Sequence, residues 1–398
     1  MKIAHVADSH WGFGYQGPTP SSRFEDITRT MDCVADRIIA EQCELVLFCG
    51  DAFKDARVYI DRATAEIKAF TSWLRKLSDA GIEVVVISGT PSHDAISAYH
   101  LIREMQIPNV HIFTDLDTVL HVKGLNIACL PGMNRSTFAT KPAFAGLPPH
   151  EFHQKMTEWI TDQCRGLADY TTSIVAGKAV PMILMSHLTF DLADTGFEDA
   201  LLQNEPILTD EAARMFDLVC LGHIHRPQKA GSNVFYSGAP ERHNFGDERT
   251  TPGFYIHEFT DGYEGLKHTV SRFIETPARR FKTIDWCDMD IQAWLDGQLD
   301  DFALVKDAIV RVRYACSEEL QKQFDRRSLE RALYDAGAFF VAEIRAEVER
   351  SERVRDAEVT ENLSPITALS AWGNNQGYGL EEISELQAMT TELLEAVE

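Results

Sequence analysis

Lys2-Ile3-Ala4-His5-Val6-Ala7-Asp8-Ser9-His10 decides how this chain is read. It begins as an apolar run of strand length and stops at a carboxylate and an imidazole two positions apart. Side chains at i and i+2 of an extended segment point the same way, so Asp8 and His10 can close on one metal ion. Three further apolar runs stop in the same manner. Leu45 to Cys49 leads into Gly50-Asp51, Met182 to Ser186 into His187, and Leu218 to Leu221 into Gly222-His223-Ile224-His225. Open α/β sheets bind ligands at the carboxyl ends of their strands, so the sequence predicts a composite metal site there.

Outward from these strand ends the periodicity turns helical. Arg23 to Gln42 carries Phe24, Ile27, Met31, Val34, Ile38 and Ile39 on one face, and a second amphipathic helix is expected from about Asp61 to Ala80, before the β-branched run Glu83–Ser88. Strand, helix, strand, helix, strand implies parallel strands with crossovers on the faces, an α/β fold. Short strands at His111–Phe113, Val119–Val122 and Asn126–Leu130 make the sheet mixed. A helix is expected from Pro148 to Leu167, a loop from Phe190 to Pro206, and a short helix at Thr209–Met215. Strands at Asn233–Tyr236 and Phe254–Phe259 complete a domain ending near residue 265.

Gly12, Gly14 and Gly17 are spaced as in a dinucleotide-binding loop, but Pro18 and Pro20 follow, so no helix N-terminus begins where a pyrophosphate would sit. A second module starts at about His268, with strands at Ala308–Ala315 and Phe339–Val348 and a helix from Ser317 to Ala336. It carries Arg272, Arg279, Arg280, Lys282, Arg311, Arg313, Arg326 and Arg327, which suit either a solvated face or the phosphates of a nucleic acid. Asn362 to Gly379 reads as a linker, and Leu380 to Val397 as a helix with one apolar side.

Composition sets bounds. The 398 residues are 44% hydrophobic, enough for a sizeable core and smaller appended units. Lys and Arg number 38 against 61 Asp and Glu, a formal charge of −23, which speaks against a broad basic surface. No apolar run approaches the roughly 20 residues that span a bilayer, and the first strand begins without a signal-peptide pattern, so a cytoplasmic protein without membrane contact is expected. The eight cysteines are isolated, which implies reduced thiols.

Imidazole and carboxylate donors without thiolate suit manganese, iron or zinc. Two metals about 3.5–4 Å apart, bridged by one carboxylate, lower the pKa of a shared water and clamp phosphoryl oxygens. Asp51 is the natural bridge, the favoured reaction is phosphate-ester hydrolysis by a two-metal-activated hydroxide, and His93, beside Asp94, is the candidate general acid. His5, His100, His111, His121, His150, His153, His243, His257 and His268 are read as surface or core histidines.

Asp8-x-His10, Gly50-Asp51, Gly89…His93-Asp94, His187 and Gly222-His223-x-His225, in that order, resemble the calcineurin-like metallophosphoesterase superfamily. Tyr236-Ser237-Gly238-Ala239-Pro240-Glu241-Arg242, Phe245-Gly246 and Thr276-Pro277-Ala278-Arg279-Arg280-Phe281 are similar to the SbcD-type exonuclease subunits within it. The resemblance implies a mixed β sandwich flanked by helices (1–265), a small α+β DNA-capping domain (266–350) and a linker with a helical tail (351–398) that binds an SbcC/Rad-fifty-type ATPase. It implies manganese-dependent endonuclease and 3′-to-5′ exonuclease activity on DNA, and a homodimer. Asp8, His10, Asp51 and His225 would hold one metal, Asp51, His187 and His223 the other, with His93 and Asp94 catalytic. The family loop carries an Asn ligand before its His; here Ser92 stands in that place. A phosphatase of the same superfamily, and a catalytically weakened binding protein of the ATPase complex, remain open alternatives.

Overall fold

The structure is a computed structural model and describes residues 1–56, 64–115, 118–139, 141–172, 180–196, 205–262, 265–299, 302–347, 364–375 and 377–395. The chain opens with β1 (Lys2–Val6), α1 (Ser22–Ala40), β2 (Leu45–Cys49), α2 (Thr64–Asp79), β3 (Glu83–Ile87), α3 (Ile96–Glu104) and β4 (Val110–Phe113). Then come β5 (Thr118–Val122), β6 (Leu125–Leu130), α4 (Arg135–Ala139), α5 (Pro149–Thr172), β7 (Met182–His187), β8 (Thr189–Phe190) and β9 (Ile207–Leu208). After them lie α6 (Asp210–Ala213), β10 (Leu218–Gly222), β11 (Gln228–Lys229), β12 (Val234–Tyr236), β13 (Gly253–Gly262) and β14 (Gly265–Glu275).

These strands make two six-stranded sheets, in the orders β14-β13-β1-β2-β3-β4 and β11-β12-β10-β7-β6-β5. The centre of each is parallel, and β13, β14, β5 and β11 pair antiparallel at the margins. Burial on both faces explains why the central strands read as continuous apolar runs. In β2, Leu45, Leu47 and Cys49 point into the layer between the sheets, while Val46 and Phe48 point under the helices. In β7, Ile183 and Met185 face the inner layer and Leu184 the opposite side, against Met156 and Ile160 of α5. Each such buried Leu, Ile or Phe contributes on the order of 2 kcal/mol, so the sandwich is held by three apolar layers and not by its site.

Residue 265, where the domain boundary is expected, is the first residue of β14. Strand β14 pairs with β13 from Gly262↔Gly265 to Gly253↔Glu275, so the first sheet continues to Glu275. Beyond it lie β15 (Phe281–Trp286), α7 (Asp288–Leu295), β16 (Ile309–Ala315), α8 (Glu318–Gln323), α9 (Arg326–Asp335), β17 (Phe340–Glu347), α10 (Pro365–Asn375) and α11 (Leu380–Glu395).

The chain forms two compact units. The first comprises 1–285, 300–313 and 325–345 and so takes in α9 and most of the sheet β15-β16-β17; the second comprises 286–299, 314–324 and 346–398. The helix expected from Ser317 to Ala336 is broken: Phe324 is extended and buried, and Asp325 starts α9 by accepting from the backbone N–H of Arg327 at 3.0 Å. Part of the expected linker is helical as well. Ser364 caps α10 through Thr367 N–H at 3.2 Å, Pro365 fits its first turn, and Gly373 lets Ile383 of α11 pack closely. Residues 351–363 and 396–398 lie outside the described residues. Among the described residues no helix is long and apolar enough to cross a membrane.

Candidate metal centre

The loops after β1 and β2 are laced together by backbone hydrogen bonds: Asp8 N–H to the Gly50 carbonyl and His10 N–H to the Asp51 carbonyl at 3.1 Å, and Trp11 N–H to the Ala52 carbonyl at 2.8 Å. Asp8, His10, Asp51 and His223 all have positive φ (56°, 47°, 52° and 97°). Non-glycine residues visit that region at a cost of about 1–2 kcal/mol each, and such strain gathers where function fixes the backbone. Gly50 has φ +89°, and a Cβ there would meet His187 Nδ1 at 2.4 Å; a Cβ on Gly89 would meet Asp51 Oδ1 at 1.8 Å. These glycines therefore admit the neighbouring His187 and Asp51 side chains. The register of β7 against β10, Gly222↔His187, brings the histidines of the second sheet to the same edge.

One donor atom from each of Asp8, His10 and His225 lies within 4.8 Å of the others, and the same holds for Asp8, Asp51 and His187 and for His93, His187 and His223. Proton accounting shows what this cluster lacks. His10 Nδ1 is 3.3 Å from the Phe53 carbonyl, His187 Nδ1 is 2.7 Å from the Cys49 carbonyl, and His225 Nδ1 is 3.1 Å from Asp247 Oδ1. Carbonyls and carboxylates only accept, so each of these nitrogens carries a ring proton, and in the neutral ring each Nε2 is the lone pair turned toward the cluster. His10 Nε2 and His225 Nε2 face each other at 3.2 Å. His187 Nε2 is buried 3.3 Å from Asp51 Oδ2 and 3.9 Å from Asp8 Oδ1, without a hydrogen bond of good geometry to either. Nitrogens about 2.1 Å from one ion stand about 3 Å apart, so the donor set fits divalent metal.

The charges agree. Burial opposes ionisation of Asp51, yet His187, His93 and His10 hold it well below the usual carboxylate range. Burial likewise opposes a charge on His187, but Asp51 and Asp8 outweigh it and push the imidazole up to about 10. The acid pair calls for a cation at this spot. Burial keeps His10 neutral, the form in which imidazole binds metal.

The grouping of His5, Cys220 and His257 fails the same test. His5 Nε2 donates to the Leu221 carbonyl at 3.1 Å, His257 Nε2 to His5 Nδ1 at 3.3 Å, and Ser271 Oγ to His257 Nδ1 at 2.8 Å. Every ring proton has a place, so this is a hydrogen-bonded core, as expected for His5 and His257.

The remaining site residues take distinct places. His93 is 38% exposed, and its Nε2 is 2.9 Å from Asp51 Oδ2, so it stands at the mouth of the cluster. Ser92 Oγ is exposed and lies 3.2 Å from His93 Nδ1, on the side of the ring away from Asp51. Thr90, immediately after Gly89, is the loop residue at Asp51: its N–H donates to Oδ1 at 3.0 Å, and its buried hydroxyl has no partner. Asp94 stands behind the cluster, fully enclosed. Its carboxylate accepts from the N–H groups of Gly89, Asp51, Phe53 and Ala95 and from the Tyr99 hydroxyl, at 2.7–3.2 Å. Such an acceptor holds the loops in place and has no capacity left for the reaction.

Sequence reasoning misses three residues. His243 is buried with its ring against those of His10 and His225, and its Nε2 is 3.0 Å from the Asp8 carbonyl. Asp247 and Glu205 are the carboxylates on His225 and His223. The adjacency of His243 to Glu241-Arg242 is the one signal the sequence offers.

Residues 1–227 match the family model for calcineurin-like phosphoesterase. An SbcCD nuclease subunit of Staphylococcus epidermidis (strain ATCC 12228 / FDA PCI 1200) is 23% identical over 263 residues, covering 64% of this chain; the match spans 65% of that relative's length. A crystal structure of a dimetal phosphatase from Danio rerio covers 69% of this chain and 98% of its own at 11% identity and a TM-score of 0.37. A Trichoderma reesei beta-glucosidase 2 structure covers 86% of this chain and 87% of its own, at 9% identity and a TM-score of 0.23. With more than half of its length matched, the chain belongs to the calcineurin-like phosphoesterase family.

Proposed function

We propose that this protein is a metal-dependent phosphodiesterase acting on DNA, the nuclease component of an SbcCD-type complex. The observation that carries the hydrolytic reading is the cluster of imidazole nitrogens gathered on Asp8 and Asp51, with His93 2.9 Å from Asp51 Oδ2 at its mouth. Asp8, His10, Asp51 and His225 would hold one divalent ion and Asp51, His187 and His223 a second, manganese being suited to such donors. When bound, the ions supply a water of lowered pKa and neutralise charge developing on the phosphoryl group. His93 is placed to give a proton to the leaving oxygen. Ser92 Oγ orients His93 and is not in this ligand set.

The DNA substrate, with endonuclease and 3′-to-5′ exonuclease cleavage, rests on the likeness to an SbcCD nuclease subunit and on the Tyr236-to-Arg242 and Thr276-to-Phe281 motifs. The ATPase partner is suggested by the α10–α11 pair, in which Leu380, Met389 and Leu393 are 83%, 61% and 67% exposed while Ile383 packs inward. The homodimer belongs to the same reading.

A small-molecule phosphodiesterase is the second reading, and one observation favours it. Five of the seven arginines expected on phosphates are engaged within the protein: Arg272 on Glu41, Arg279 on Asp26, Arg280 on the Lys306 carbonyl, Arg311 on Thr283 and Arg313 on Asp285. Cleavage of 3′-end-labelled single-stranded and duplex DNA with manganese, beside His93→Ala, decides between the two. DNA cleavage that disappears in the variant supports the nuclease; hydrolysis of aryl phosphodiesters with DNA left intact supports the second reading.

A further inference from the structure

The two histidines of Gly222-His223-Ile224-His225 are oriented by two different acids. His223 Nε2 lies 3.0 Å from Glu205 Oε2, and His225 Nδ1 lies 3.1 Å from Asp247 Oδ1. Opposite ring nitrogens are thus anchored, which leaves Nδ1 of His223 and Nε2 of His225 as the donors.

Both acids are held for the task. Glu205 is 5% exposed, and a buried carboxylate is costly unless it is paired. Strands β8 and β9 pair in parallel at Thr189↔Ile207, and two residues upstream of these positions lie His187 and Glu205. The Tyr236 hydroxyl fixes this short sheet, accepting from Phe190 N–H at 2.7 Å and donating to the Leu188 carbonyl at 2.8 Å. Asp247 sits in the turn Phe245–Arg249, where its Oδ2 accepts from His243 N–H at 2.9 Å while Oδ1 faces His225.

We propose that Glu205 and Asp247 are positioning residues that divide the centre between them. Glu205 sets the imidazole of the ion shared with His187, and Asp247 sets that of the ion shared with Asp8 and His10; this rests on the two-ion reading above. A carboxylate behind a ligating imidazole fixes its tautomer and raises its donor strength, an effect of about 10–100-fold in metal affinity. Because the acids serve different histidines, each governs one ion.

Calorimetric titration of the metal-free chain with Mn2+ tests this. Glu205→Gln should weaken one of two binding steps about 10–100-fold and leave the other, and Asp247→Asn should do the same to the other step. Glu205→Gln should add little to the loss in His187→Ala but add fully to that in His10→Ala. Gln keeps an oxygen for Nε2–H, so Glu205→Ala should lose more than Glu205→Gln. Metal-free unfolding of each variant shows that it is folded, and should Glu205→Ala not fold, the near-isosteric Gln variant carries the test. Two unaltered steps in either acid variant, or equal weakening of both steps, would overturn the division. A wild-type chain that binds no Mn2+ would instead overturn the two-ion reading itself.

Discussion

His93 Nε2 lies 2.9 Å from Asp51 Oδ2, and Asp51 Oδ2 is also 3.3 Å from His187 Nε2 and 3.6 Å from His10 Nε2. One carboxylate oxygen thus joins the proposed general acid to imidazoles of both proposed ion sites. Replacing His93 by Ala should reduce hydrolysis of an aryl phosphodiester by about 10²–10⁴-fold while Mn2+ uptake is retained. Rates within a factor of about three of wild type would assign proton transfer elsewhere.

Asp51→Asn removes the charge that the two proposed ion sites would share. In the wild-type chain, Mn2+ at about 100 times its dissociation constant should raise stability by about 2.7 kcal/mol. Thermal unfolding with and without Mn2+ should show that rise in the wild type and its loss in the variant. A variant stabilised as much as wild type would mean that Asp51 is not a bridging ligand.

Acid should destabilise the fold through its buried histidines. Burial pushes His5 down to about 3 and holds His257 well below the ordinary value of 6.5. Below pH 6.5 the unfolded chain takes up protons that the folded chain refuses, so stability falls with pH from about 6.5 toward 3. Each histidine contributes a slope approaching about 1.4 kcal/mol per pH unit there. Urea midpoints between pH 7 and 5 measure it, and His257→Gln should make the slope shallower; a flat profile would contradict the assignment.

Asp26 binds Arg23, Arg29 and Arg279, and Arg23 is 1% exposed. Asp26→Ala leaves that guanidinium buried with Glu241 as its remaining carboxylate partner, and should cost about 3–5 kcal/mol. Arg313→Ala breaks an exposed pair with Asp285 and should cost less than about 1 kcal/mol. Denaturant titration of both variants checks the contrast, which comparable losses would refute.

Removing residues 364–398 should abolish binding to the proposed ATPase partner and spare hydrolysis of small diesters, because α10 and α11 belong to the second unit and the candidate metal cluster to the first. Loss of folding on truncation, seen by circular dichroism, would show that the hairpin belongs to a core.

Strand ends are legible because Leu45–Cys49 and Leu218–Leu221 are buried on both faces and so read as unbroken apolar runs closed by ligands. Asp8, His10, Asp51, His187, His223 and His225 converge because each follows such a strand. Glu205 and Asp247 carry no comparable mark: they lie in acidic, aperiodic stretches and act on histidines 18 and 22 residues away. Counting back from His93 puts Ser92 in the ligand position, whereas Thr90 to His93 form a turn, with His93 N–H and Asp94 N–H on the Thr90 carbonyl, that leaves Thr90 at Asp51. The helix break at Phe324-Asp325 is hidden because neither Gly nor Pro marks it and apolar residues continue on both sides; Asp325, a residue that favours caps, starts the new helix by its hydrogen bond. Helix α10 is hidden by its Ser, Asn and Gly content, which packing against Ile383 overrides.

Electron paramagnetic resonance of the chain loaded with two equivalents of Mn2+ tests the central claim most directly. Two ions sharing Asp51 should give a spin-coupled spectrum that Asp51→Asn converts to that of isolated or unbound ions. Uncoupled ions at two equivalents in the wild type, or saturation at one, would contradict a two-metal centre.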